Sequence, residues 1–124
     1  VWIYAESKEI ETDDDGTQLK NAFNDLVSSI ERTYGKYIRI DRIKNEDYSS
    51  DEPEDFMFDL FLEDRELQAY WTKTIDSTLP NDIALISLDA HALPVPVGYI
   101  TLQYLSPNHD IAVAEDKAKQ DAVF

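Results

Sequence analysis

No cysteine occurs among the 124 residues. That excludes disulfides and thiolate metal sites, and it fits a cytoplasmic protein. Glycine is nearly as scarce, with three in all, too few for a phosphate-cradling loop. Ser77, Ser87 and Ser106 lack the G-x-S-x-G elbow of an activated hydroxyl. No uninterrupted apolar run approaches the roughly 20 residues of a membrane helix, and the N-terminus lacks a basic stretch followed by an apolar one. A membrane is therefore not an expected partner. The chain begins at Val1 rather than methionine, as expected of a trimmed chain or a piece of a longer one.

Basic residues are the other deficit: 11 Lys and Arg face 26 Asp and Glu, for a formal charge of −15. Nucleic acid and anionic lipid are held through Lys and Arg that displace counterions, so direct binding to either is not expected. The apolar share is nevertheless 43%, with 2 Trp, 7 Tyr and 5 Phe. Such a chain can bury a core, so its acidity is not the low-hydrophobicity signature of disorder. Its length fits one α+β domain over residues 1–124.

The acids are not spread evenly. Residues 6–15, "ESKEIETDDD", carry a net −5, and residues 45–66 carry −9, leaving the rest of the chain nearly neutral. Halophilic adaptation would distribute carboxylates over the whole surface, whereas concentration argues for a local purpose.

Apolar spacing sets the expected elements. "VWIYA" at 1–5 is rich in β-formers and predicts a strand. Leu19, Ala22, Phe23, Leu26, Val27, Ile30 and Tyr34 form one helical stripe over 16–34, with Asp13, Asp14, Asp15 and Thr17 as caps and Gly35 as a left-handed terminator. Residues 36–43 alternate as a strand. "FMFDLFL" at 56–62 puts Phe56, Phe58, Leu60 and Leu62 on one face and predicts a strand, although Phe56, Leu60 and Phe61 also suit a helix. Asp64 then caps a second helix with the stripe Leu67, Tyr70, Trp71, Thr74 and Ile75, ended by "STLPND". Residues 83–88 and 99–105 are strands joined by the Pro-containing "DAHALPVPVG". "SPNHD" at 106–110 is a turn, and the C-terminal segment is a helix or a loose tail. The resulting order predicts a split βαβ, ferredoxin-like sandwich: an antiparallel sheet with two helices on one face and an appended C-terminal strand and tail. In that topology residues 6–15 and 45–55 meet at one end of the sheet.

Pooled carboxylates at one end point to a docking surface for a basic protein. The expected contact residues are Glu46, Asp47, Asp51, Glu52, Glu54 and Asp55, supported by Asp13, Asp14 and Asp15, with Tyr48 as the aromatic anchor. Solvation together with helix capping is the competing explanation. Glu11, Asp13, Asp15 and Gly16 follow the opening of an EF-hand loop, but its ninth and twelfth positions fall on Leu19 and Ala22, which cannot ligate. His91 and His109 each have an aspartate close by, Asp89 and Asp110, in turn-like stretches where surface polar residues are ordinary. No catalytic residue, metal or cofactor is therefore expected. Phe61, Met57 and Tyr37 would form an apolar patch on the sheet face away from the helices, suited to a homodimer or another partner.

The leading expectation is a non-catalytic acidic inhibitor or neutraliser, of the immunity, antitoxin or anti-defence type. Its target would be a basic nucleic-acid-handling protein, whose cationic groove would accept carboxylates in place of phosphates as a nucleic-acid mimic. The alternatives are an accessory subunit of a larger assembly, docking through the sheet face, and a metal-dependent hydrolase using carboxylates and histidine.

Overall fold

A computed structural model describes residues 2–44, 52–73, 79–80, 83–94 and 96–106. The strands are β1 (Trp2–Glu6), β2 (Ile10–Glu11), β3 (Ile38–Ile43), β4 (Arg65–Thr72), β5 (Leu85–Ala92) and β6 (Val97–Leu105). The helices are α1 (Thr17–Tyr34) and α2 (Phe56–Phe61), the latter entered through a 3-10 turn at Pro53–Asp55. The sheet is antiparallel throughout, in the order β1-β6-β5-β4-β3, with β2 also pairing with β6. The described residues are thus α+β, with a six-stranded sheet and two α-helices. No described helix is long and apolar enough to cross a membrane.

This order departs from the split βαβ arrangement, and the departure begins in one stretch, residues 56–72. Expected as strand then helix, it is helix then strand. In 56–61 the buried residues are Phe56, Met57, Asp59 and Leu60, at the i, i+1, i+3, i+4 positions of one helical face. In 65–72 the buried residues are Leu67, Ala69 and Trp71, a strict period of two among β-forming Tyr, Trp and Thr. The stripe through Tyr70 and Trp71 fails because those two side chains point to opposite sides of the sheet. With β4 a strand, residues 38–105 form a meander, and β1 joins its far edge beside β6.

α1 follows its sequence closely. Leu19, Phe23, Val27, Ile30 and Tyr34 are buried, and the helix starts after Gly16 at φ 73°. Of the expected caps, Asp13 acts: its Oδ1 accepts the Thr17 N–H at 2.8 Å and its Oδ2 the Thr17 hydroxyl at 2.8 Å. Thr12 and Gln18 add a reciprocal pair. The Gln18 N–H donates to Thr12 Oγ1 at 3.1 Å, and the Thr12 hydroxyl donates back to Gln18 Oε1 at 2.8 Å. At the other end Gly35 has φ 82° and ψ −144°, a region open essentially to glycine alone. Its carbonyl accepts the Trp71 indole N–H at 2.9 Å, fixing the helix exit to β4, the neighbour of the edge strand β3.

Register gives the sheet two faces. Pairs such as Ala5 with Leu102, Leu88 with Leu102 and Ala69 with Leu88 face inward and join both helices in one core. The opposite face carries Tyr4, Tyr70, Ser87, Asp89, His91, Tyr99, Thr101 and Gln103, from the alternate register. Residues 89–92, expected in a connection, continue β5. The link to β6 needs only 93–96, closed by the Leu93 N–H donating to the Val97 carbonyl at 2.9 Å. Residues 107–124, and with them His109 and the expected C-terminal helix or tail, lie outside the described residues.

Candidate functional site

β1 and β3 run in the same direction because three antiparallel strands separate them. Both therefore finish at the same end of the sheet, on its opposite edges, the end where α1 starts and β4 begins. Of the second acidic segment, residues 52–55 are described, and they reach the first segment through α2, which they lead into. The first segment closes a turn, with the Gly16 N–H donating to the Asp13 carbonyl at 3.0 Å. The Asp14 carbonyl then accepts the Met57 N–H at 3.1 Å, tying that turn to the first residues of α2. Gly16 lies against the Phe56 ring so closely that a Cβ there would fall 2.5 Å from Cδ1.

Phe56 is 1% exposed and is gripped by two cations. Lys20 Nζ stands 4.0 Å and the Arg65 guanidinium 5.0 Å from the ring centre, distances at which a ring face attracts a cation. Arg65 also donates to Asp41 Oδ1 at 3.0 Å. Lys20 and Arg65 are thus occupied in packing around Phe56.

The carboxylates divide into three kinds. Asp13 is held as an anion by its bonds from Thr17, which lower its pKa below the ordinary value. Asp14, Asp15 and Glu54 form no ion pair among the described residues. Asp14 and Glu54 are exposed and Asp15 half-exposed, at a surface shared with Glu52 and Asp55. Asp59 is 3% exposed, and its Oδ2 has no hydrogen-bond partner among the described residues. Burial raises its pKa, reinforced by Asp55 and Asp64 and partly offset by Arg65. Of the expected contact residues, Asp13, Asp14, Asp15, Glu52, Glu54 and Asp55 are thus brought to one end. Glu46, Asp47, Tyr48 and Asp51 lie outside the described residues.

Two other expectations change. Met57 is 4% exposed and inside the core, and Phe61 is on α2, so neither contributes to the outer sheet face. That face instead holds His91, whose Nε2 is 2.8 Å from Thr101 Oγ1 and whose ring stacks on Tyr99 with centroids 4.8 Å apart. Asp89 accepts the Ser87 hydroxyl at 3.1 Å, and no hydrogen bond joins Asp89 to His91 among the described residues. Among those residues no three His, Asp or Glu side chains converge as a cation cage would require.

Sequence reasoning missed an apolar feature beside the acids. Phe58 is 63%, Leu62 47% and Phe61 40% exposed. They occupy the outer side of α2, while Met57, Phe58, Phe61, Leu93, Pro94 and Pro96 enclose with Asp14 a cleft of about 110 Å³. The same i, i+3, i+4 spacing that makes α2 a helix contained the signal. No protein family, curated protein or solved structure matches the chain.

Proposed function

We propose that the chain is a non-catalytic inhibitor or neutraliser that presents its acidic end to a basic, nucleic-acid-handling protein. The observation that carries this reading is the bond from the Met57 N–H to the Asp14 carbonyl. It fixes two acidic segments side by side, against the repulsion between like charges. Self-repulsion lowers the stability of the free protein, and a cationic groove relieves it on binding. Carboxylates held at fixed positions can occupy the places of backbone phosphates there. Association driven in this way is fast and falls steeply with salt. Direct contact with nucleic acid plays no part, because the surface has the wrong sign.

The test is capture from a nuclease-treated lysate of the source organism, eluted by rising salt, with the triple variant D14K/D15K/E54K alongside. These side chains make no described ion pair, so the fold should survive their reversal. The expected result is a basic protein retained by the wild type, lost with the variant, and blocked from its own nucleic acid by the wild-type chain. Retention of the same proteins by both chains would refute the proposal.

A further inference from the structure

Single exposed apolar residues are ordinary on any protein, whereas a group of them marks a contact surface. Four large apolar side chains are exposed on the described residues, and three, Phe58, Phe61 and Leu62, stand together on the outer side of α2. Spacings of three and four residues put them on one helical face. Phe56, Met57 and Leu60 pack the opposite face into the core, so this one short helix presents apolar groups on both sides. Beside the outer group lies the cleft walled by Phe58, Phe61, Pro94 and Pro96 on its apolar sides and by Asp14 on its charged side. Asp15 adjoins Asp14, and Glu54 lies in the 3-10 turn that leads into α2, whose Met57 N–H the Asp14 carbonyl accepts.

We infer that this cleft is the anchor pocket of the acidic surface. It takes one apolar side chain from a cationic polypeptide segment of the partner, whose flanking Lys or Arg residues lie against Asp14, Asp15 and Glu54. The inference rests on the function proposed above and adds to it what the partner must contain. Charge complementarity selects the occupant. A second copy of the chain brings its own net charge of −15, and a phosphate-rich ligand or anionic membrane brings the same sign. Only a cationic segment satisfies the rim while its apolar residue satisfies the floor. Water excluded by Phe58 and Phe61 also strengthens the charge contacts beside them, as an apolar surround does at binding hot spots.

The experiment uses two fluorescently labelled lysine-rich peptides, identical except for a central Phe in one and Ser in the other. Each is titrated with wild-type protein at low salt and followed by anisotropy. The expected result is about tenfold tighter binding of the Phe peptide, equivalent to about 1.4 kcal/mol. In F58S/F61S the Phe peptide should fall to the affinity of the Ser peptide, whose own affinity should not change. Both replaced side chains are exposed, and an unchanged circular dichroism spectrum would show that the fold is kept. D14K/D15K/E54K should weaken both peptides alike. Equal binding of the two peptides to the wild type would overturn the anchor pocket and leave the acidic surface standing. Failure of both peptides to bind would overturn the two together. A wild-type dimer in sedimentation that becomes a monomer in F58S/F61S would also overturn the inference, by giving the patch to a second copy.

Discussion

Replacing Gly16 with alanine tests the joint on which the acidic surface depends. The residue has φ 73°, where an L side chain costs about 1 to 2 kcal/mol through its clash with the following carbonyl. The added Cβ would also stand 2.5 Å from Phe56 Cδ1, 2.7 Å from Cε1 and 3.1 Å from Met57 Sδ. Comfortable carbon contacts begin at about 3.5 Å, so the ring must retreat by roughly 1 Å. It has little room to do so, with Lys20 on it at 4.0 Å and Arg65 at 5.0 Å. Overpacking of this kind costs about 1 to 3 kcal/mol. Together the two terms predict a loss of about 2 to 5 kcal/mol, against a total stability for such domains of about 5 to 15 kcal/mol. Urea unfolding should show a lower midpoint with an unchanged slope, since the surface exposed on unfolding stays the same. A double-mutant cycle with F56L separates the terms. The smaller leucine should recover about 0.5 to 3 kcal/mol of coupling by removing the contact, while the backbone term persists. A loss below about 1 kcal/mol in G16A, or no coupling to Phe56, would refute the reasoning.

Two further predictions concern carboxylates that titrate in opposite senses. Asp59 is buried with a raised pKa, so the unfolded chain ionises it first and stability is lost as pH rises above its ordinary value of 3.8. D59N should therefore raise the melting temperature at about pH 7, reflecting a stability gain on the order of 1 kcal/mol. The gain should vanish at about pH 3, where both states are protonated, and thermal melts that show a gain independent of pH would contradict this account. Asp13 is the reverse: its lowered pKa gives stability that is present above 3.8 and lost as pH falls through the folded value. D13A should flatten the acid side of the stability profile, and an NMR titration of the wild-type carboxyl should find Asp13 ionised at lower pH than a free aspartate.

The parts of the fold legible in the sequence are those where one period dominates. α1 spans eighteen residues with five buried apolar positions at helical spacing, long enough to exclude a strand. Residues 56–72 contain two short elements whose periods overlap. Phe56 and Leu60 fit both four-residue and two-residue spacings, and Leu67 with Trp71 does the same. Ala69 decides for the strand because it is fully buried, yet alanine carries little hydrophobic signal. His91 was misplaced because Pro94 and Pro96 extend the apparent loop, although a hairpin connection needs no more than 93–96. The approach of residues 52–55 to the first acidic segment is expected from a shared end of the sheet, but the link that makes it, α2 with its Met57 N–H on the Asp14 carbonyl, reads in sequence as a strand. Exposure of Phe58 and Leu62 was not legible, because hydrophobicity predicts burial, and a surface kept apolar reads in sequence like a core; Phe61 is expected to be exposed, but on the sheet face and not on a helix.

The pairing of β1 with β6 has a consequence for how the chain becomes structured as it is made. Trp2 lies opposite Leu105 and Glu6 opposite Thr101, contacts between the first and last strands of the sheet. The β3 to β6 meander, by contrast, pairs only strands adjacent in sequence and closes with shorter loops. During synthesis β1 and α1 leave the ribosome while the partner of β1 is still untranslated. Translation at about 5 to 20 residues per second leaves that strand waiting for several seconds without its edge. Once β6 appears, it can pair with β5 on one side and receive β1 on the other, so β1, made well before its partner, is seated only after the meander is complete.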